Sequence, residues 1–372
     1  MNCIARILTL GILSLILTGQ ACAVADDGQL LAAQSENYGV PELEQSLPGE
    51  AYDYWGEVSV REAADPQNLL QSFWSTFTGT SQEVLSSAVQ NAAVILLVCF
   101  IIAMVQSFPM DTGQAKLCGL IGAAALSLIC IREANACVPL GFHVIDSLTA
   151  FSGRLLPTLC AAAAAGGALT SSGAKYAVSS LCLDMLGTAA VTVIKPALTF
   201  YMLAIVSGTI LQNEILLSVG SLMKRALRLL LVGTAILFTV FLSLTGVMSG
   251  SADAAAAKAA KTTISTVLPV VGGILSDAAG SMIAGAGILR SAIGSLGLFC
   301  VLAVCAIPYT SLGIHYLMYQ LIGGFSSAFS DKRISALLQG FSDIYAMLLG
   351  TAGLITFVVF VSIAALMRGV SV

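Results

Sequence analysis

The chain has 372 residues, 57% hydrophobic and 10% charged, with a mean hydropathy of +0.93. Soluble domains carry roughly 25% charged residues, so this composition excludes a soluble globular protein and predicts an all-α polytopic membrane protein. The net charge of −4 hides an asymmetry: residues 26–87 hold eleven acids against the single base Arg61, and the rest of the mature chain is net basic. Nucleic-acid binding is excluded too, because it needs clustered Lys and Arg.

Ten cysteines raise a redox or metal reading, and their placement argues against it. Cys3 and Cys22 lie in the leader. Cys99, Cys118, Cys130, Cys160, Cys182, Cys300 and Cys305 lie in apolar runs, and only Cys137 reads as a loop residue. There is no CxxC, and His143 and His315 are the chain's two histidines. The cysteines therefore read as small core hydrophobes, with no metal or cofactor expected. Catalytic signatures are missing as well: there is no P-loop, no HExxH, no GxSxG setting for Ser249-Gly250, and no carboxylate pair at helical spacing in a span. The chain reads as a non-enzyme.

Residues 1–25 read as a signal peptide, with Arg6 in the n-region, an apolar run over 7–17 and a small-x-small site at Ala23-Val24-Ala25. An uncleaved anchor is the alternative. Residues 26–87 are polar and acidic, punctuated by Pro41, Pro48-Gly49 and Asp65-Pro66. They predict a short helical extracytoplasmic region rather than an independent domain. Near its end, Phe73, Trp74 and Phe77 suit either an amphipathic approach to the membrane or a helix packed over the bundle.

A multispanning domain is expected over 88–372, with six to eight spans and some broken or re-entrant helices. The first span, 88–108, matches a hydrocarbon core of about 30 Å and ends in a turn at 109–113. The second, 116–131, is read as ended by Arg132-Glu133. Residues 155–170, built on Ala161–Ala165 and Gly166-Gly167, fit a marginal span, a re-entrant piece or a packed core helix.

The apolar run 181–211 is interrupted by Asp184 and by Lys195-Pro196, where the lost backbone donor should kink or break the helix. Asp184 and Lys195 are three turns apart on one helical face, about 16 Å along the axis. Such intramembrane charges face a bundle interior or wet cavity, or, for Lys195, snorkel to a boundary. Lys224, Arg225 and Arg228 directly precede the span 229–248, and Lys332-Arg333 precede the last span, 344–367. Both basic groups belong in the cytoplasm. Residues 249–268 form a strong helix bearing Lys258 and Lys261. Residues 296–325 are apolar around Pro308, either one broken helix or two short ones.

Residues 268–297 are the most unusual stretch, with seven glycines and two charges. On one helix Ser276, Gly280, Ala284, Gly287, Ser291 and Gly294 fall within roughly an 80° arc, leaving a face nearly bare of side chains. In lipid, such faces let helices approach closely. Asp277 and Arg290 flank the stripe on opposite sides, so each needs a partner elsewhere. With Pro269, Gly272 and Gly273 these residues are the helix-packing or conduit-lining candidates. The segment is either one close-packed helix or a hairpin broken at Gly285-Ala286-Gly287.

From residue 211 onward the order of features resembles the stage III sporulation protein AE family of endospore-forming Firmicutes. The resemblance rests on LQNEILLSVGSLMKRALRLLLVG, on SADAAAAKAAKTTISTVLPVVGGILSDA, and on LRSAIGSLGLFCVLAVCAIP leading to the last span. It is specific over the last 160 or so residues and covers the remainder in layout. The chain departs from the family where Ala278-Ala279-Gly280-Ser281 is neutral after the Asp. The resemblance implies a subunit of the secretion-like channel joining mother cell and forespore, seated in the mother-cell membrane and supporting late forespore gene expression. It implies other stage III sporulation membrane proteins, a cytoplasmic ATPase and intermembrane ring proteins as partners, with membrane lipid around it and homo-oligomerisation open. It implies no catalytic residues. A stand-alone secondary transporter, using 195–196 and 268–297 as half-helices around a midplane site, is the alternative.

Overall fold

The computed structural model describes residues 40–55, 66–109, 111–211, 213–267, 272–327 and 332–367, and every element among them is helical. Two short helices, α1 (Val40–Glu44) and α2 (Gly49–Trp55), precede the long ones, α3 (Pro66–Gln106) and α4 (Thr112–Ala165). Next, α5 (Leu169–Ala189) passes through a π-helical turn (Ala190–Ile194) into α6 (Lys195–Leu211). The chain closes with α7 (Glu214–Val267), α8 (Gly272–Ser326) and α9 (Lys332–Met367). Five stretches among the described residues are long and apolar enough to cross a membrane: Gln71–Gln106, Leu117–Ala165, Leu169–Leu211, Ile283–Ser326 and Arg333–Met367. The chain is a helical membrane protein.

Sequence-neighbouring rods pack antiparallel. Gly122 of α4 lies beside Ile102 of α3, Gly187 of α5 beside Thr149 of α4, Gly208 of α6 beside Leu217 of α7, and Gly323 of α8 beside Gln339 of α9. Long-range pairs fix the rest: Gly141 of α4 meets both Leu312 and Leu348, and Gly340 of α9 faces Ile205 of α6. The N-terminal ends of α4, α7 and α9 therefore share one end of the bundle, and the C-terminal ends of α4 and α9 share the other. In the most apolar windows of α8 and α9, 56% of residues are buried, against 22% in α3. That difference makes α8 and α9 the centre and α3 a peripheral, lipid-facing rod. Leu97, Phe100, Ile101 and Met104 of α3 are exposed accordingly. Core contact is close where α8 meets its neighbours, with Gly297 against Leu155 and Gly294 against Met367.

The described part of the acidic region is strapped onto the bundle. Val40, Leu43, Leu47 and Ala51 are buried, the Tyr54 ring meets Phe73 at a 30° tilt with centroids 4.9 Å apart, and the Trp55 ring meets Phe299 edge-on at 5.9 Å. Glu50 pairs with His143 of α4 at 3.2 Å. Phe73 and Phe77 stack at 5.8 Å on the N-terminal half of α3, which runs without interruption into the first expected span. The signal peptide at 1–25 lies outside the described residues.

Several expectations are corrected. Arg132-Glu133 do not end a helix: α4 continues to Ala165, because the Glu133 carboxylate accepts a hydrogen bond from Tyr319 and stays inside the bundle. Cys137 is therefore not a loop residue but a buried one, 5% exposed, on α4. Residues 155–165 are core helix, with Leu155, Leu159 and Ala162 buried, and the rod stops at Gly166-Gly167, where Gly167 takes φ 90°. Pro308 neither breaks nor splits α8, and Pro139 and Pro157 likewise lie inside α4. Prolines are tolerated there because packed neighbours and side-chain hydroxyls re-satisfy freed backbone groups. At Pro196 the helix is not broken: the preceding turn widens to π form, which absorbs the missing donor. Between residues 272 and 297 the chain is one helix, so the hairpin at Gly285-Ala286-Gly287 does not occur.

Candidate functional site: a small-residue face and two buried polar junctions

The stripe of small residues divides along its length. Pro269 lies outside the described residues, as do the side chains of Ser276 and Asp277 and the surroundings of Gly280; Gly272 and Gly273 open α8. Ala284 and Ser291 are exposed, and nothing stands within 4 Å of where a Gly287 Cβ would be. The face turned to the bundle carries Ala286, Leu289, Ile293 and Leu296 instead. Gly294 alone of the described stripe is internal, where a Cβ would collide with Met367. The Ala284–Gly287–Ser291 face is thus bare and left uncovered by the described residues.

Arg290 is half-buried, and its Nη1 lies 3.7 Å from the Cβ position of Gly166. It stands at the C-terminal turn of α4, whose last carbonyls carry partial negative charge. The same end of the bundle holds a second instance: Lys175 Nζ donates to the Ala365 carbonyl of α9 at 3.0 Å. Two helix C-termini there are each met by a cation.

Asp184 and Lys195 do not face an interior. Both are exposed, and the π turn between them alters the three-turn register assumed from the sequence. Lys195 Nζ lies 5.4 Å over the Phe142 ring, a cation–π contact that supports the snorkelling reading.

The polar groups that do enter the bundle were not given that place from sequence, which put Lys224 in a cytoplasmic cluster and Glu133 at the end of a span. Lys224 of α7 pairs with Asp343 of α9 at 2.5 Å, and Tyr201 of α6 donates to the same Asp343 oxygen at 3.1 Å. This junction ties three helices. In the second, Tyr319 of α8 donates to Glu133 Oε2 of α4 at 2.6 Å, with Tyr345 of α9 stacked 5.4 Å from Tyr319. Hydroxyl ties join α8 and α9 along their length: Ser335 to the Gly323 carbonyl at 2.8 Å, Ser342 to Gln320 at 3.1 Å, and Tyr309 to Thr356. Interhelical bonds of this kind hold membrane helices together where lipid removes the hydrophobic drive. A sequence signal existed: Asp343 and Glu133 are lone acids beside apolar stretches. Their partners lie up to 186 residues away, which no local pattern reveals. Among the described residues no group of three His, Cys, Asp or Glu is placed to hold a metal.

Residues 58–369 match the family model of stage III sporulation protein AE. The chain belongs to this family. Stage III sporulation protein AE of Bacillus subtilis (strain 168) is 23% identical over 265 residues, covering 69% of this chain and 65% of that relative. The chain thus spans about two thirds of its relative's length in the match. No solved structure matches. The stage III sporulation protein AE match takes in α3 to α9, so the small-residue face and both polar junctions fall inside it, while α1 and α2 precede it.

Proposed function

We propose that the chain is a non-enzymatic, multi-pass subunit of the sporulation channel linking mother cell and forespore. It lies in the mother-cell membrane around the forespore and is needed for late forespore gene expression. Family membership across the whole bundle carries this reading. In support, the outer surface is apolar and the buried polar groups tie helices to one another rather than converge on a reaction centre. Lys224, Arg225, Arg228 and Lys332-Arg333 lie toward the bundle end where α4, α7 and α9 begin, and the positive-inside rule assigns that end to the cytoplasm. The strap then lies on the extracytoplasmic side.

The bare Ala284–Gly287–Ser291 face is the assembly surface, packing on another stage III sporulation membrane protein, an intermembrane ring protein or a second copy. Deleting the gene in its host should arrest sporulation after engulfment and abolish heat-resistant spores. A normal spore yield would sink the reading. The transporter alternative required broken half-helices, and the described chain is helical straight through 195–196 and from Gly272 to Ser326.

A further inference from the structure

The basic cluster of α7 is split between the inside and the outside of the bundle. Lys224 turns inward to Asp343, and Leu227 and Phe238 are buried on the same side of the helix. Arg225 and Arg228 are exposed instead. Neither makes an ion pair, hydrogen bond or ring contact with any described residue, and Asp343 is already engaged by Lys224 and Tyr201.

What surrounds the two arginines is apolar. On the helix Arg225 falls within an arc of about 60° with Leu229, Val232 and Ile236. Those three side chains are 76%, 52% and 60% exposed, and Arg228 borders the arc. Two unpaired guanidinium groups therefore stand at one end of a bulky apolar surface that the described residues leave uncovered. Hydrocarbon alone would cover the apolar side chains and strand two charges, which is costly in a membrane. Water alone would satisfy the charges and leave the apolar arc wet. A second helix approaches most closely over small residues, and this arc carries large ones. A phospholipid with a net negative headgroup meets both halves, because guanidinium groups bind phosphate in bidentate fashion and acyl chains cover the arc.

We propose that Arg225 and Arg228 hold the headgroup of an anionic phospholipid whose acyl chains lie along Leu229, Val232 and Ile236. The positive-inside assignment of this end puts that lipid in the cytoplasmic leaflet. The site itself does not depend on the sporulation role, since it is read on the purified protein.

The test is native mass spectrometry of the full-length chain released from nanodiscs of equal parts phosphatidylglycerol and phosphatidylcholine. Thermal unfolding in those discs and in phosphatidylcholine alone accompanies it. The wild type should retain phosphatidylglycerol over phosphatidylcholine by about tenfold and unfold at a higher temperature in the mixed discs. Arg225→Gln combined with Arg228→Gln changes only exposed side chains, so it should fold and lose both the preference and the stabilisation. Arg154→Gln, which removes an exposed arginine of α4, should keep both. Inorganic phosphate added to phosphatidylcholine discs should not replace the anionic lipid. Equal retention of the two lipids by the wild type, as a partner protein's carboxylate in place of the lipid would give, would overturn the site. So would a preference that survives the double substitution, an equal loss in Arg154→Gln, or stabilisation by inorganic phosphate.

Discussion

Gly287 and Gly294 belong to one stripe yet meet opposite surroundings, and this separates packing from assembly. Gly294 already touches Met367 of α9, so Gly294→Leu overpacks the core and should destabilise the bundle by about 1–3 kcal/mol in thermal unfolding. Gly287 faces open space, so Gly287→Leu should leave the unfolding temperature unchanged while weakening assembly. At the other junction, Asp343→Asn removes the Lys224 pair. Both side chains are about 30% exposed, which discounts the cost to about 1–2 kcal/mol. A double-mutant cycle with Lys224→Met should show coupling, and additive effects would deny the pair any role.

Tyr54 of the strap offers a pH test at the same scale. Burial, and then the neighbouring Asp53, raise its phenol above the ordinary value of 10.0. The docked strap keeps this proton where the released strap has lost it. Docking is therefore unaffected below the ordinary value and weakens as pH rises through it toward the folded value. Trp55 fluorescence should report strap release in that alkaline range, and Tyr54→Phe should abolish the component.

Among the elements, apolar runs and basic flanks made most helices legible in sequence: the first span, 88–108, covers the C-terminal half of α3 and runs two residues past its end at Gln106, the last lies inside α9, and 181–211 runs from α5 through the π turn and α6. Where reading failed, the cause was a tertiary partner. Arg132-Glu133 looked like the end of a span because a charge in lipid is costly, but Tyr319 accommodates Glu133 and the helix runs on through Cys137. The position of Lys195-Pro196 was legible and its form was not, since a π turn and a break satisfy the same lost donor. Of the small-residue pattern, Ala284, Gly287 and Ser291 lie away from the described core, whereas the inward place of Gly294 depends on Met367, 73 residues on. The burial of Cys137 carries a prediction: a membrane-impermeant thiol reagent should leave it unlabelled from either side of the native membrane and label it only after unfolding. Rapid labelling from outside would restore a loop at that position.

At the scale of the molecule, α4 and α7 have 54 residues each and α8 has 55, about 80 Å of helix apiece, far more than the roughly 30 Å of a hydrocarbon core. The bundle therefore stands well beyond the bilayer or tilts strongly within it. Its centre, α8 and α9, is tied to α4 through Glu133 and to α6 and α7 through Asp343. Such a cross-tied bundle suits an assembly role through its outer faces, and the bare face of α8 is the proposed contact. The direct test is the size of complexes carrying the chain, extracted in mild detergent from sporulating cells and resolved on native gels, for wild type and Gly287→Leu. The wild type should migrate in a large assembly and Gly287→Leu as a folded, smaller species with unchanged unfolding temperature. An assembly of the same size for both, or a wild type that migrates alone, would contradict it.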